Sequence, residues 1–258
     1  MNEYALITGA SKGIGKSMAL LLASTGYNLL LIARSGTELE ELSIQIQNKY
    51  QVRVSYLAID LSGNNASKEV AGWCKNQTSQ LSILINNAGF GLWGNFEDLV
   101  LADQLNMLQL NINAVVELSH LLLPVLKQQK QAYILNIAST AAYQALPTLA
   151  VYAATKTFIL SYSRALRFEL KNSPVSVSCL CPGPTDTGFA SRAGMDALTD
   201  LANKFNTPPE EVARIGLKGM FNKKSEIIPG FLNKLSAFGA NHLPKSLIER
   251  ISASLFRH

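Results

Sequence analysis

Residues 8 to 15 read Thr8-Gly9-Ala10-Ser11-Lys12-Gly13-Ile14-Gly15. The residues just before them, Tyr4 to Thr8, form a short apolar run of strand character. Those just after repeat apolar side chains at Ile14, Met18, Leu21 and Leu22, which is helical periodicity. Glycines between a strand and a helix allow a tight turn and let backbone N–H groups approach a pyrophosphate at the helix N-terminus. A plain strand-to-helix connection is the competing reading of glycines alone. The spacing is G-x-x-x-G-x-G; a literal G-x-G-x-x-G occurs later, at Gly89, Gly91 and Gly94. That second set follows a later strand and opens no capped amphipathic helix, so it is not read as the dinucleotide turn.

Outward from this turn the same alternation repeats. Strands are expected at Tyr4 to Thr8, Asn28 to Ala33, Val52 to Ile59, Leu81 to Ile85, Ala132 to Ile137, Val175 to Leu180 and near Ile227-Ile228, with amphipathic helices between them. The strands are near-continuous apolar runs, the pattern of a parallel sheet covered on both faces. The expected fold is therefore α/β: a single doubly wound Rossmann-type domain over residues 1–258, with a small helical substrate lobe over 186–224 and a C-terminal extension over 230–258. A length of 258 residues with 48% hydrophobic and only 16% charged side chains excludes disorder and supports one large core.

The net charge of +5 is unevenly placed. Residues 1–203 hold 14 basic and 14 acidic side chains, residues 204–258 hold 9 and 4. A basic terminal region can meet an acidic carrier, a CoA-type phosphate or a lipid surface, or can simply solvate helix faces; nucleic acid is not expected, because no zinc-ligand set or aromatic-basic interleaving accompanies the charge. Three cysteines, Cys74, Cys179 and Cys181, make no disulfide framework and suggest a reducing, cytoplasmic setting. The N-terminal residues do not read as a secretion signal, and no stretch is expected to reach the roughly 20 apolar residues of a membrane span. His120 is expected to be packed or at an interface, and no metal site is expected.

The second strand ends in Ala33-Arg34-Ser35, where an acid would bind a ribose 2′-hydroxyl and an Arg would accept a 2′-phosphate. Arg34, with Lys12 as a second cation, favours NADP(H) over NAD(H); merely solvated side chains are the alternative. Asp60 suits either an adenine amino group or a helix N-cap. Tyr152 and Lys156 lie four apart, on one helix face, where an ammonium would stabilise a phenolate and draw its pKa from about 10 toward working pH. Ser139 ends the fifth strand and can donate to a substrate oxygen. Asn111, in the long fourth helix, needs a partner if buried.

Taken together, Thr8-Gly9-x-x-x-Gly13-x-Gly15, Asn86-Asn87-Ala88-Gly89, Asn111, Ser139, Tyr152-x-x-x-Lys156 and Pro182-Gly183-Pro184-Thr185-Asp186-Thr187 resemble the short-chain dehydrogenase/reductase family over residues 4 to about 190. The resemblance implies a seven-stranded parallel sheet and hydride transfer between nicotinamide and a carbonyl or alcohol. It implies Tyr152 as general acid/base, Lys156 as its tuner and ribose ligand, Ser139 orienting the substrate oxygen, and Asn111 supporting a water relay to Lys156. Cofactor contacts are implied for Gly9, Ser11, Lys12, Gly13, Ile14, Gly15, Arg34, Asp60, Asn87, Ala88, Gly89, Pro182, Gly183, Thr185 and Thr187, besides Tyr152 and Lys156.

Phe90, Leu92, Trp93, Leu146 and Phe189, with Phe96 and Leu149, are candidate walls for a small hydrophobic carbonyl substrate, an acyl-chain or ring ketone; core packing is the alternative for each alone. The Asn-Ala-Gly-Phe-Gly loop and the long tail are similar to the subgroup that includes acyl-chain and 17β-hydroxysteroid-type ketone reductases. The family pattern pairs the fourth helix region, Leu101 to Leu126, and the fifth, Tyr152 to Leu170, across a two-fold axis, implying a homodimer or tetramer. The tail after Gly230 departs from tetrameric relatives; capping of the substrate lobe, a partner or a membrane surface are its three readings. A catalytically silent NADP(H)-binding sensor or scaffold protein is the competing function, and a methyltransferase is disfavoured by Arg34.

Overall fold

The computed structural model describes residues 2–189, 193–194 and 206–255. Its strands are β1 (Tyr4–Thr8), β2 (Asn28–Ala33), β3 (Val54–Ala58), β4 (Leu81–Asn86), β5 (Ala132–Ile137), β6 (Val175–Leu180) and β7 (Glu226–Ile227). They form one parallel sheet in the order β3-β2-β1-β4-β5-β6-β7. The order reverses beside β1, where ligands sit at the strand C-termini of open α/β sheets. β3 is shorter than expected. Its ladder with β2 runs from Leu29–Val54 to Ala33–Ala58, and Arg53 N–H donates instead to the Asn28 side chain, at 2.9 Å.

The helices are α1 (Gly13–Ser24), α2 (Gly36–Tyr50), α3 (Ala66–Gln77), α4 (Leu101–Leu126), α5 (Ala150–Glu169), α6 (Pro209–Phe221), α7 (Phe231–His242) and α8 (Lys245–Leu255). Alternation along the central strands divides the core. Ala5, Ile7, Leu29 and Leu31 pack with α1, α2 and α6, while Leu6, Leu30, Leu84 and Ile134 pack with α3 and α4. Each fully buried aliphatic side chain contributes roughly 1.5–3 kcal/mol. At the sheet edge the Tyr143 hydroxyl donates to Glu226 at 2.6 Å and Arg164 pairs with the same carboxylate, fixing the two-residue β7.

Two expectations change here. The segment 186–224 is not a single lobe: α6 buries Val212, Ala213, Leu217 and Met220 against the sheet and packs on α1. Its apolar stripe makes it a layer of the main body, and residues 190–192 and 195–205 of the expected lobe lie outside the described residues. The second change concerns α4, which is long and apolar enough to cross a membrane by length and composition, with a mean hydropathy of 1.2. Its stripe of Ala114, Leu118, Leu122 and Leu126 is nevertheless core, buried against strands and α3. His120 is exposed on this helix rather than packed.

Candidate active site

β5 and α5 bring three of the four predicted catalytic side chains, Ser139, Tyr152 and Lys156, together. Tyr152 and Lys156 sit one turn apart on the buried face of α5, 8% and 6% exposed. Lys156 Nζ donates to the Ile137 carbonyl at the end of β5, at 3.0 Å, and lies 5.7 Å from the centre of the Tyr152 ring. Ser139, two residues past β5, accepts from Ala141 N–H at 3.1 Å, and its hydroxyl opposes the rise in the pKa of the Tyr152 phenol. The electrostatics differ from the sequence expectation. Burial pushes the phenol up to about 12, opposed by Ser139 and not by Lys156. Burial also lowers Lys156 to about 8, against the upward pull of Cys179 and Cys181. Desolvation therefore outweighs the cation's field at this end of the crevice.

Asn111 lies in a π-helical turn, Gln109–Asn113, that interrupts α4. Such turns are frequent at functional sites. Asn111 is 1% exposed and its amide is fully engaged: Oδ1 accepts from Phe90 N–H at 3.1 Å, and Nδ2 donates to the Phe90 carbonyl at 2.9 Å and to Thr155 Oγ1 at 3.1 Å. Thr155 in turn donates to the Tyr152 carbonyl at 2.7 Å. The side chain thus ties the loop after β4 to the catalytic helix. Gly89 marks where this tie meets the lysine: a Cβ there would lie 2.9 Å from Asn111 Oδ1 and 3.5 Å from Lys156 Nζ. Thr155 was missed in the sequence, although it shares the buried stripe with Tyr152, Lys156 and Ile159.

The glycine turn has left-handed φ at Gly9 (+65°) and Gly13 (+53°), where a side chain would be strained. A Cβ at Gly15 would strike the Gly9 carbonyl and the Asn87 amide. Asn87 supports the turn from behind, donating to the Thr8 and Gly9 carbonyls at 2.9 and 3.1 Å. Thr8 Oγ1 accepts from Asn87 and Ala88 N–H, both at 3.0 Å. The Asn87 side chain is therefore a brace of the cradle. Across the groove, Pro182 accepts from Thr140 N–H at 2.8 Å and Thr185 Oγ1 donates to the Gly183 carbonyl at 3.0 Å. Thr187 packs 2.7 Å from the place of a Gly13 Cβ. A cradle stripped of side chains on one wall, running from Gly9 past Ser11, Ile14 and Ala88 to Lys156, fits a dinucleotide.

At the far end Lys12 does not stand with Arg34. It pairs with Glu38 at 2.6 Å, while Arg34 lies 3.9 Å from Asp60. Asp60 does not cap α3, whose N-cap is Asn65; its Oδ1 accepts from Ser62 N–H and Oγ at 2.9 and 2.7 Å. Burial raises this carboxyl, but the Ser62 bonds and Arg34 outweigh it and hold it below its ordinary value.

Around Tyr152, the buried Met107, Ala141, Leu146 and Leu149 meet Phe90, Leu92, Trp93 and Phe189. The Phe189 ring is 5.4 Å from that of Tyr152, and only glycine at 91 permits it, since a Cβ there would lie 2.8 Å from Phe189 and 3.2 Å from Tyr152. The second glycine set thus lines the crevice and opens no helix, as its sequence context indicated. Phe96 points away, 64% exposed, and is no wall. Among the described residues no group of three potential metal ligands comes together.

A model of the short chain dehydrogenase family matches residues 3–198. The chain belongs to this family. Among the relatives of this dehydrogenase/reductase is a very-long-chain 3-oxoacyl-CoA reductase of Pyrenophora tritici-repentis, 35% identical over 78% of this chain and 60% of the relative. The chain thus spans about 60% of that relative's length. An NADP-dependent 3-hydroxy acid dehydrogenase of Schizosaccharomyces pombe is 30% identical over 92% of this chain and 95% of its own. A short-chain dehydrogenase from Sphingobium yanoikuyae in complex with NADPH superposes with a TM-score of 0.83, at 28% identity, over 92% of this chain and 91% of that one. Fold, motifs and relatives agree on a nicotinamide-dependent oxidoreductase.

Proposed function

We propose that this dehydrogenase/reductase uses NADPH to reduce the ketone of a hydrophobic substrate, an acyl chain foremost and a ring ketone second. The observation that carries this reading is the Tyr152–Ser139–Lys156 set, with Tyr152 and Lys156 buried, opening on the apolar cluster of Phe90, Leu92, Trp93, Leu146 and Phe189. The 3-oxoacyl and 3-hydroxy acid chemistry in the names of two relatives supports an acyl chain.

When bound, the cofactor supplies the hydride. The chain's own residues do the rest. Ser139 Oγ orients the substrate oxygen, and Tyr152 gives that oxygen the proton of its hydroxyl. A phenol held up at about 12 is protonated across the ordinary range, which suits an acid in the reductive direction. Lys156 holds the ribose and its charge offsets the phenolate left behind. Arg34 and Lys12 meet the 2′-phosphate, Lys12 after leaving Glu38. The apolar walls exclude water from the proton transfer.

Leu101 and Leu105 of α4, with Phe158 and Phe168 of α5, are exposed on one chain and support a homodimer through these helices. Three free, buried cysteines support a reducing, cytoplasmic setting. The test is NADPH and NADH absorbance with a panel of 3-oxoacyl thioesters and ring ketones. Turnover of an acyl ketone with NADPH preferred is expected. Tight NADPH binding without turnover on any ketone would instead establish a silent binder.

A further inference from the structure

Helix α7 has two unlike faces. Its inner face is small, with Ala237 and Ala240 buried at 4% and 2% against the turn Thr140–Tyr143. Its outer face is large and apolar: Phe231, Leu235 and Phe238, at i, i+4 and i+7, are 57–78% exposed, and Leu232 flanks them. Soluble surfaces carry single exposed hydrophobes without consequence, whereas a contiguous stripe on one helix marks a contact. The charge around the stripe restricts what the contact is. From Phe231 to Leu255 the cations are Lys234, Lys245 and Arg250, all exposed, against one acid, Glu249. In a two-fold antiparallel pairing of α7 with a second copy about Leu235, the middle of the stripe, the two Lys234 side chains would lie on the same flank within one turn of each other, a like-charge juxtaposition. An anionic surface meets no such repulsion.

We propose that α7 is an interfacial helix that docks this enzyme on an anionic phospholipid bilayer, its Phe231, Leu235 and Phe238 stripe entering the headgroup boundary and its cations meeting the lipid phosphates. The location has a functional sense, and this part rests on the proposed hydrophobic substrate. Asn233, on the inner side of α7, donates to the Pro229 carbonyl at 2.8 Å and fills the space a side chain at Gly183 would need. The first turn of α7 therefore braces the loop that closes the cofactor groove, and docking sets the mouth of the crevice beside the lipid.

The test is co-sedimentation of the full chain with phosphatidylcholine vesicles, with and without phosphatidylserine. Three cations near an anionic surface give a partition coefficient on the order of a hundredfold higher with phosphatidylserine. Leu235→Ser/Phe238→Ser, both solvent-exposed positions, should lose sedimentation with melting temperature and NADPH affinity unchanged, and Lys234→Glu should cut the phosphatidylserine preference to about fivefold. Equal, negligible sedimentation with both vesicles would overturn the proposal. So would a wild-type dimer that Leu235→Ser/Phe238→Ser converts to a monomer in light scattering, which would assign the stripe to a second copy. None of these readouts uses a ketone, so failure of the substrate reading leaves them intact.

Discussion

At the catalytic end of the groove Tyr152 and Lys156 are 8% and 6% exposed, and Lys156 and Asn111 are bonded to backbone from other elements. At the opposite end the side chains of Arg34 and Lys12 are 69% and 60% exposed and pair with the carboxylates of Asp60 and Glu38. The same residue types thus work under opposite dielectric conditions. Buried groups lose solvation, so their pKa values move by whole units; exposed pairs contribute about 0–1 kcal/mol and exchange partners readily. On the proposed function, chemistry belongs to the first end and adjustable cofactor choice to the second.

Replacing Lys156 by Met is expected to have the largest effect of the substitutions that probe this contrast. Turnover should fall by about 10²–10⁴-fold, the range for a positioned acid–base group. The same variant should melt higher than wild type at neutral pH, because a buried ammonium held at about 8 rather than 10.5 opposes folding when charged. The folded state binds fewer protons than the unfolded chain between these values, so wild-type stability attributable to Lys156 rises with pH from about 8 to 10.5. Tyr152 acts in the other direction: raised from 10.0 to about 12, it causes stability to be lost as pH rises through that interval. Scanning calorimetry across pH measures both signs. If Lys156→Met and wild type melt alike at every pH, burial does not govern this end.

The pH–rate profile is the next sharpest probe. With Tyr152 protonated until about 12 and Lys156 charged only below about 8, kcat/KM for ketone reduction should be flat at lower pH and fall about tenfold per unit above about 8. A profile level to pH 10 would remove Lys156 charge from the mechanism.

At the exposed end, Arg34→Asp should lower the NADPH-to-NADH ratio of kcat/KM by about 10–100-fold, the loss of one or two charge-assisted bonds to a phosphate. An unchanged ratio would remove Arg34 from cofactor choice. Smallest is Thr155→Val, which keeps the volume but breaks the link between Asn111 and the Tyr152 carbonyl. It should cost roughly 1–3 kcal/mol of stability and only a few-fold in kcat, read by denaturant titration and steady-state kinetics.

The buried end was also the more legible one. Strand runs, the glycine turn and the Tyr152–Lys156 spacing are local patterns, and local patterns survive folding when a core enforces them. What escaped depends on distant partners. Nothing local in Lys12 tells that Glu38, on the next helix, competes for it. The bracing role of Asn87 depends on carbonyls 79 and 78 positions away. Thr155 looks like any polar residue until Asn111 arrives from a π-helical turn whose extra residue has no sequence signature. The division of 186–224 was visible in part: the stripe Val212, Ala213, Leu217 and Met220 has the period of a core helix, and polar turn residues ahead of it obscured that.

The account depends on a phenol that delivers a proton inside a dry crevice. Its most direct test is single-turnover NADPH oxidation with an acyl ketone by Tyr152→Phe, with NADPH affinity measured in parallel by fluorescence. The account predicts a rate lowered by about 10²–10⁴-fold with affinity within a few-fold of wild type. A variant that reduces the ketone at close to the wild-type rate would contradict it.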